Sequence, residues 1–206
     1  MCPWYRYGIP IRPRRGVLDL PLAAAAMDWS HLYVSKVVYK NPIFISSTVV
    51  HGFKRGSKEL GCPTANLDMD LLILKDSNSD SVGFQSVTGI YFGLANLRTK
   101  VYDCVVSVGY NPVYKNAVKT IECHIIYDEA LDDFYDETLS ILLFGYLRDE
   151  CNFKSVDELV DCIKSDINLS KDMLRTTTLE NTTKYCDSKN WCSFENGVIV
   201  DGVLSL

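Results

Sequence analysis

The chain has 206 residues, 47% hydrophobic and 23% charged, which suits one globular domain with a sizeable core and some flanking sequence. Its net charge of -5 and isoelectric point near 5.2 exclude nucleic acid as the main partner, because gripping a phosphate backbone needs a basic field. The eight cysteines include no Cys-x-x-Cys pair and Cys104 and Cys123 lie in apolar runs, so buried thiols in a reducing cytoplasm are expected rather than a disulfide framework.

In chain order, the first segment is an N-terminal extension, residues 1–41. It carries Arg6, Arg12, Arg14 and Arg15 with no acid before Asp19, then an apolar run broken by Asp19 and Pro21. That run is too short and interrupted to span a membrane, and Asp19 spoils it as a secretory signal. The expectation is an untranslated or disordered extension with Met27 as an alternative start; mitochondrial import through the arginine-rich arm is the second reading.

Apolar alternation then predicts strands over residues 43–51, 88–97, 100–108, 120–127 and 138–147, with Leu97-Arg98-Thr99-Lys100 as a hairpin turn. The last segment also fits a helical face through Leu139, Leu142, Leu143 and Tyr146, so the residues alone leave it open. Short strands without helical periods between them argue for an antiparallel barrel. Residues 68–86, rich in Asp and Ser, read as a surface loop or lid. A helix is predicted from Ser155, where Ser155-Val-Asp-Glu158 forms a capping box and Val156, Leu159, Val160, Ile163 and Ile167 share one face. Residues 175–206 form a polar tail in which Trp191 and the apolar stretch at 198–206 could dock on the domain.

Chemistry concentrates in residues 51–67, His-Gly-Phe-Lys-Arg-Gly-Ser-Lys-Glu-Leu-Gly-Cys-Pro-Thr-Ala-Asn-Leu. Gly52, Gly56 and Gly61 can take positive φ or let backbone approach an anion, and Lys54, Arg55 and Lys58 supply cations for phosphate. Only three residues separate Gly52 from Gly56, and Ser57 precedes Lys58, so this is not a P-loop. Thr64 and Asn66, two apart in an extended segment, can turn their oxygens to one hard cation such as Mg²⁺ if nucleotide phosphates bring most of the charge. On the strand at 120–127, Glu122 and His124 face away from Ile121, Cys123 and Ile125. A carboxylate there is either paired with a lysine such as Lys115 or Lys119, or a base held in a cleft.

The loop resembles the signature of the riboflavin kinase family, in which a Gly-x-x-x-Gly-Ser-Lys-x-Leu-Gly arch runs into Pro-Thr-Ala-Asn, here residues 52–66. Thr88-Gly-Ile-Tyr-Phe-Gly, Val105-Val-Ser-Val-Gly-Tyr-Asn-Pro, Lys119-Thr-Ile-Glu-Cys-His-Ile-Ile, Asp132-Asp-Phe-Tyr and Gly145-Tyr-Leu-Arg-Asp-Glu-Cys-Asn-Phe follow in the family's order. The resemblance covers roughly residues 42–170. It implies a mainly β fold over residues 42–174, a closed six-stranded antiparallel Greek-key barrel with a C-terminal α-helix, and hence strand at 138–147. The implied activity is transfer of the γ-phosphoryl group of ATP to riboflavin, giving FMN and ADP, with Mg²⁺, Zn²⁺ or another divalent cation. Residues before Pro42 are too few to encode the adenylyltransferase fused to some relatives. A cytoplasmic monomer with no membrane span is expected.

By the same resemblance Glu122 is the catalytic residue; Gly52, Lys58, Thr64, Ile125, Tyr127 and Tyr135 bind ATP; Thr64 and Asn66 hold the metal; Arg148, Cys151 and Phe153 meet the flavin. Bland alternatives stand beside these roles: Tyr127 and Tyr135 as half-buried strand-end aromatics, and Arg148 as a surface partner of Glu150. Two departures from the family pattern are Asp136, where glycine usually follows Asp-Phe-Tyr, and Asp149-Glu-Cys-Asn-Phe in place of Pro-Glu-Lys-Asn-Phe. The second removes a lysine at Cys151 and with it a cation for flavin phosphate. Residues alone leave open a non-catalytic flavin-binding barrel, or a kinase for another small hydroxylated substrate.

Overall fold

A computed structural model of the chain describes residues 27–34, 36–52, 61–75, 88–111, 118–128, 131–177, 199–200 and 203–204. The Arg-rich arm, Lys58, Lys115 and most of the tail lie outside them. The strands are β1 Val37–Val50, β2 Ala65–Leu67, β3 Ile73–Lys75, β4 Gly89–Leu97, β5 Lys100–Asn111, β6 Val118–Ile126 and β7 Thr138–Arg148. Helix α1 is Val156–Thr177, a 3₁₀ turn spans Ser30–Tyr33, and Ile199–Val200 (β8) pairs with Val203–Leu204 (β9) in the tail.

All pairings are antiparallel, and the ring β1-β2-β6-β5-β4-β7 closes where β7 meets β1 again. This is the expected six-stranded barrel, with residues 138–148 strand and not helix. β3 was not expected: Ile73–Lys75 lies inside the segment read as a loop and pairs with β1 at Phe44, Ile45 and Ser46. Three residues are too few to show an alternation, and the pairing supplies what the local pattern lacks. Pro42, which has no N–H to give to a ladder, sits where the β1–β7 register shifts between Val38 and Ile43. Of the two shifts in the β4–β7 pairing, the one between Phe92 and Gly93 needs glycine for space, since a Cβ at Gly93 would lie 2.0 Å from the Leu142 carbonyl oxygen.

Strand alternation sorts the side chains into two cores. Ile43, Ile45, Tyr91, Cys104, Val106, Ile121, Cys123, Ile125, Leu139 and Ile141 fill the barrel. Phe44, Ile90, Phe92, Val105, Leu142 and Phe144 face outward and are sealed by α1 through Leu159, Cys162, Ile163 and Leu174. The covering layer starts before residue 42, because Tyr33 is buried there and Trp29 packs against it.

At the helix start, Ser155 Oγ accepts from the Glu158 N–H at 3.1 Å as the capping box requires, but the Glu158 carboxylate reaches back to the Lys154 N–H, one residue outside the usual box. The buried stripe of α1 also differs from the expected apolar one. Asp166 and Ser170 are fully buried in its middle, whereas Val156, Val160 and Ile167 are only half-buried.

The β4–β5 hairpin places Arg98 at φ 51 and Thr99 at φ 69. A β-branched residue is strained there, since left-handed backbone costs about 1–2 kcal/mol for L-residues. Thr99→Gly is therefore expected to raise stability by about 0.5–1 kcal/mol, seen as a higher urea midpoint with an unchanged m-value.

Candidate active site

The site is assembled by β2, a three-residue strand held between the end of β1 and the middle of β6. Val50 pairs with Asn66, Asn66 with Glu122, and Glu122 with Ser107 of β5. Paired residues of an antiparallel sheet point to the same face, so Asn66, Glu122 and Ser107 form one polar row on the outside of the barrel. Glu122 is only 5% exposed, and Thr64 Oγ1 donates a hydrogen bond to its Oε2 at 3.2 Å. A buried carboxylate needs such donors. The segment carrying Thr64 is fixed from β6 as well: His124, two residues beyond Glu122, uses Nδ1 to hold the Pro63 carbonyl oxygen at 2.9 Å.

Gly52 closes the other side. Its φ is not positive, so conformational freedom is not the reason for glycine; a Cβ would lie 2.3 Å from Asn66 Nδ2 and 3.0 Å from its Oδ1. The arch backbone therefore presses on the Asn66 amide. Gly61 does adopt a positive φ, 74°, at the far end of the arch. Tyr135 is 43% exposed and lies against the ring of His51, with centroids 3.8 Å apart. Its turn is pinned to β1, with the Asp136 N–H bonding the Val49 oxygen and the Val49 N–H bonding the Glu137 oxygen, both at 2.9 Å. Asp136 has φ 64°, so it takes the backbone conformation in which glycine is favoured.

Gly52, Thr64, Asn66, Glu122 and Tyr135 thus converge, but other expected site residues stand elsewhere. Ile125 is buried inside the barrel and serves its core. Tyr127 is half-buried against the same cluster. Arg148, taken from sequence as a donor to a ligand or a surface partner of Glu150, is a core residue at 1% exposure. Its Nε and Nη2 bond both oxygens of Asp166 at 2.8 and 2.7 Å, and Nη1 bonds the Asp149 oxygen and Cys151 Sγ. Tyr33 adds its hydroxyl to Asp166 at 2.9 Å. Phe153 is buried and meets Trp29 in a T-shaped ring contact with centroids 6.0 Å apart. The Arg148 group sits in register with Ile90 and Ser107 of the polar row, about 14 Å from Glu122 by three strand spacings.

Sequence reasoning missed Ser107, Asp166 and Tyr33. Asp166 and Ser170, polar residues on the apolar stripe of an amphipathic helix, were the available signal for a buried pair. Ser107 is fully buried with no hydrogen-bond partner for its hydroxyl among the described residues, in the strand position next to Glu122.

Burial lowers the His124 pKa below its ordinary 6.5, opposed by the bond to Pro63. The unfolded chain then binds the proton that the folded one refuses, so stability falls as pH drops below about 6.5. His124→Asn keeps a donor near the Nδ1 position and removes the titration; its unfolding free energy should lose less between pH 7 and pH 5 than that of the parent chain.

The donor set suits a hard divalent cation with much of its charge supplied by a ligand: a hydroxyl and an amide oxygen beside one carboxylate, and, among the described residues, no cluster of three His, Cys, Asp or Glu that could hold a metal alone. No helix among the described residues is long and apolar enough to cross a membrane.

Comparison with known proteins places residues 39–174 within the riboflavin kinase (Flavokinase) family profile. The chain is 42% identical over 134 residues to the riboflavin kinases of Mus musculus and of Homo sapiens, covering 65% of this chain and 81% of each relative. It is 33% identical over 190 residues to that of Yarrowia lipolytica, covering 77% and 90%. The crystal structure of riboflavin kinase from Trypanosoma brucei superposes with a TM-score of 0.50 at 24% identity, covering 70% of this chain and 84% of the other, a likeness of fold.

Proposed function

The chain belongs to the riboflavin kinase family, and on that premise we propose how its residues carry out the phosphorylation. The reaction is ATP-dependent conversion of riboflavin to FMN. Phosphoryl transfer has a loose transition state, so the protein must mainly align the acceptor hydroxyl and neutralise charge.

The observation that carries the assignment is the Thr64–Glu122 hydrogen bond with Asn66 directly across the ladder. Glu122 accepts a hydrogen bond from the riboflavin 5′-hydroxyl, orients its oxygen in line, and takes the proton as the bond to phosphorus forms. A threonine hydroxyl has one donor and two acceptor lone pairs, so Thr64 can donate to Glu122 and still offer oxygen to a cation. Thr64 and Asn66 would hold Mg²⁺, which would supply positive charge to offset that of the ATP phosphates. The backbone from Gly52 holds the phosphates, with Lys58 assigned there by the family pattern, and Tyr135 on His51 flanks the nucleotide. Ile125 and Tyr127, assigned to the nucleotide by the family pattern, act through the barrel core in which they pack. Cys151 and Phe153 belong to the segment assigned to the flavin, and Arg148 acts by fixing it. The free thiols among the described residues suit the cytoplasm.

The test is metal dependence. Asn66→Ala should raise the Mg²⁺ concentration for half-maximal FMN formation, with partial rescue by excess Mg²⁺, and Thr64→Ala should combine with it non-additively. Gly52→Ala should act in the same direction while folding normally, because only the end of the Asn66 side chain must move. Additive losses indifferent to Mg²⁺ would show that these residues only shape the loop.

A further inference from the structure

Among the described residues two pairs of thiols meet, and their surroundings differ. Cys104 of β5 and Cys123 of β6 lie inside the barrel, buried, where loss of water pushes the Cys104 thiol well up. Cys151, in the connection between β7 and α1, is half-buried, and Cys162 is fully buried on the inner face of α1. The Cys151 sulfur accepts a hydrogen bond from Arg148 Nη1 at 3.3 Å. The same guanidinium holds Asp166, one helical turn beyond Cys162 on the buried face of α1, and Cys151 packs against the cluster that contains Cys162, where the Cys162 thiol can donate to it.

We propose that Cys151 and Cys162 form an oxidisable thiol pair, in which Cys151 attacks hydrogen peroxide and Cys162 resolves the product to an intramolecular disulfide. The Cys162 bond and the Arg148 charge hold the Cys151 thiol below its ordinary value against burial, Asp166 and Glu150. The bond donated to Cys151 and burial push Cys162 far up. These are the environments of an attacking thiolate and a resolving thiol respectively. In the first step the Cys151 thiolate forms an S–O bond as the peroxide O–O bond breaks, releasing hydroxide and leaving a sulfenic acid. In the second, the Cys162 sulfur forms the S–S bond as that S–O bond breaks, and its proton leaves with the hydroxyl as water. Two electrons pass from the thiols to the peroxide.

The pair is absent from any Cys-x-x-Cys spacing; ten residues separate its members, and the contact between the connection and α1 brings them together. It stands whether or not Cys151 also faces the flavin.

The full-length chain, treated with hydrogen peroxide, alkylated and digested, should yield one peptide linkage between Cys151 and Cys162, lacking two hydrogen atoms and reversed by dithiothreitol. Cys104 and Cys123 should stay reduced at the same dose. Cys162→Ser should leave a Cys151 sulfenic acid that dimedone traps. The mapping on the unaltered chain does not depend on how that variant folds. Recovery of both Cys151 and Cys162 as free alkylated thiols while Cys104 or Cys123 oxidises, or Cys151 linked to a different cysteine, would overturn the proposal.

Discussion

Glu122→Gln is expected to lower kcat by about 10²–10⁴-fold, the usual range for loss of a general base, while leaving folding and ATP binding close to those of the parent chain. Glutamine is the informative replacement because its amide oxygen can still accept the Thr64 hydroxyl bond now made to Glu122 Oε2, so the row Asn66–Glu122–Ser107 keeps its shape. What disappears is the basicity. In barrier terms the loss is about 3–5 kcal/mol, larger than a neutral hydrogen bond contributes, so a merely structural role for Glu122 would give a much smaller effect. FMN formation under saturating riboflavin and Mg-ATP measures it. A variant with near-parental turnover and an unchanged pH profile would remove Glu122 from the chemistry.

Asp166→Ala should cost about 3–5 kcal/mol of stability, a fall of roughly 6–20 °C in Tm. The carboxylate is buried, and its removal strands the Arg148 guanidinium at 1% exposure and deprives the Tyr33 hydroxyl of its acceptor. Burial pushes the Asp166 carboxyl up against the pull of Arg148 and Tyr33, which is the sign of a pair whose solvation loss offsets much of its attraction. Such a pair is costly to break and inexpensive to replace entirely. Arg148→Met combined with Asp166→Leu should therefore recover most of the loss, and calorimetry on the three variants decides it. If the single substitution costs under about 1 kcal/mol, the pair does not hold α1 to β7 in the way the geometry indicates.

What the sequence by itself determined was local. Period-two alternation placed β1, β4, β5 and β6, and Ser155 and Glu158 marked the start of α1, because each signal lies within a few neighbouring residues. Resemblance to a family settled β7, for which strand and helix patterns competed. The tertiary structure decided what depends on partners distant along the chain. Three-residue β2 and β3 exist only through their pairing with β1 and β6. Glu122 meets Thr64 across 58 positions, Gly52 is needed for the bulk of Asn66 and not for its own φ, and Arg148 lies in the core because Asp166 of α1 reaches it. A charged side chain is exposed or buried according to whether a counter-charge arrives from another element, and a single stretch of sequence carries no record of that arrival.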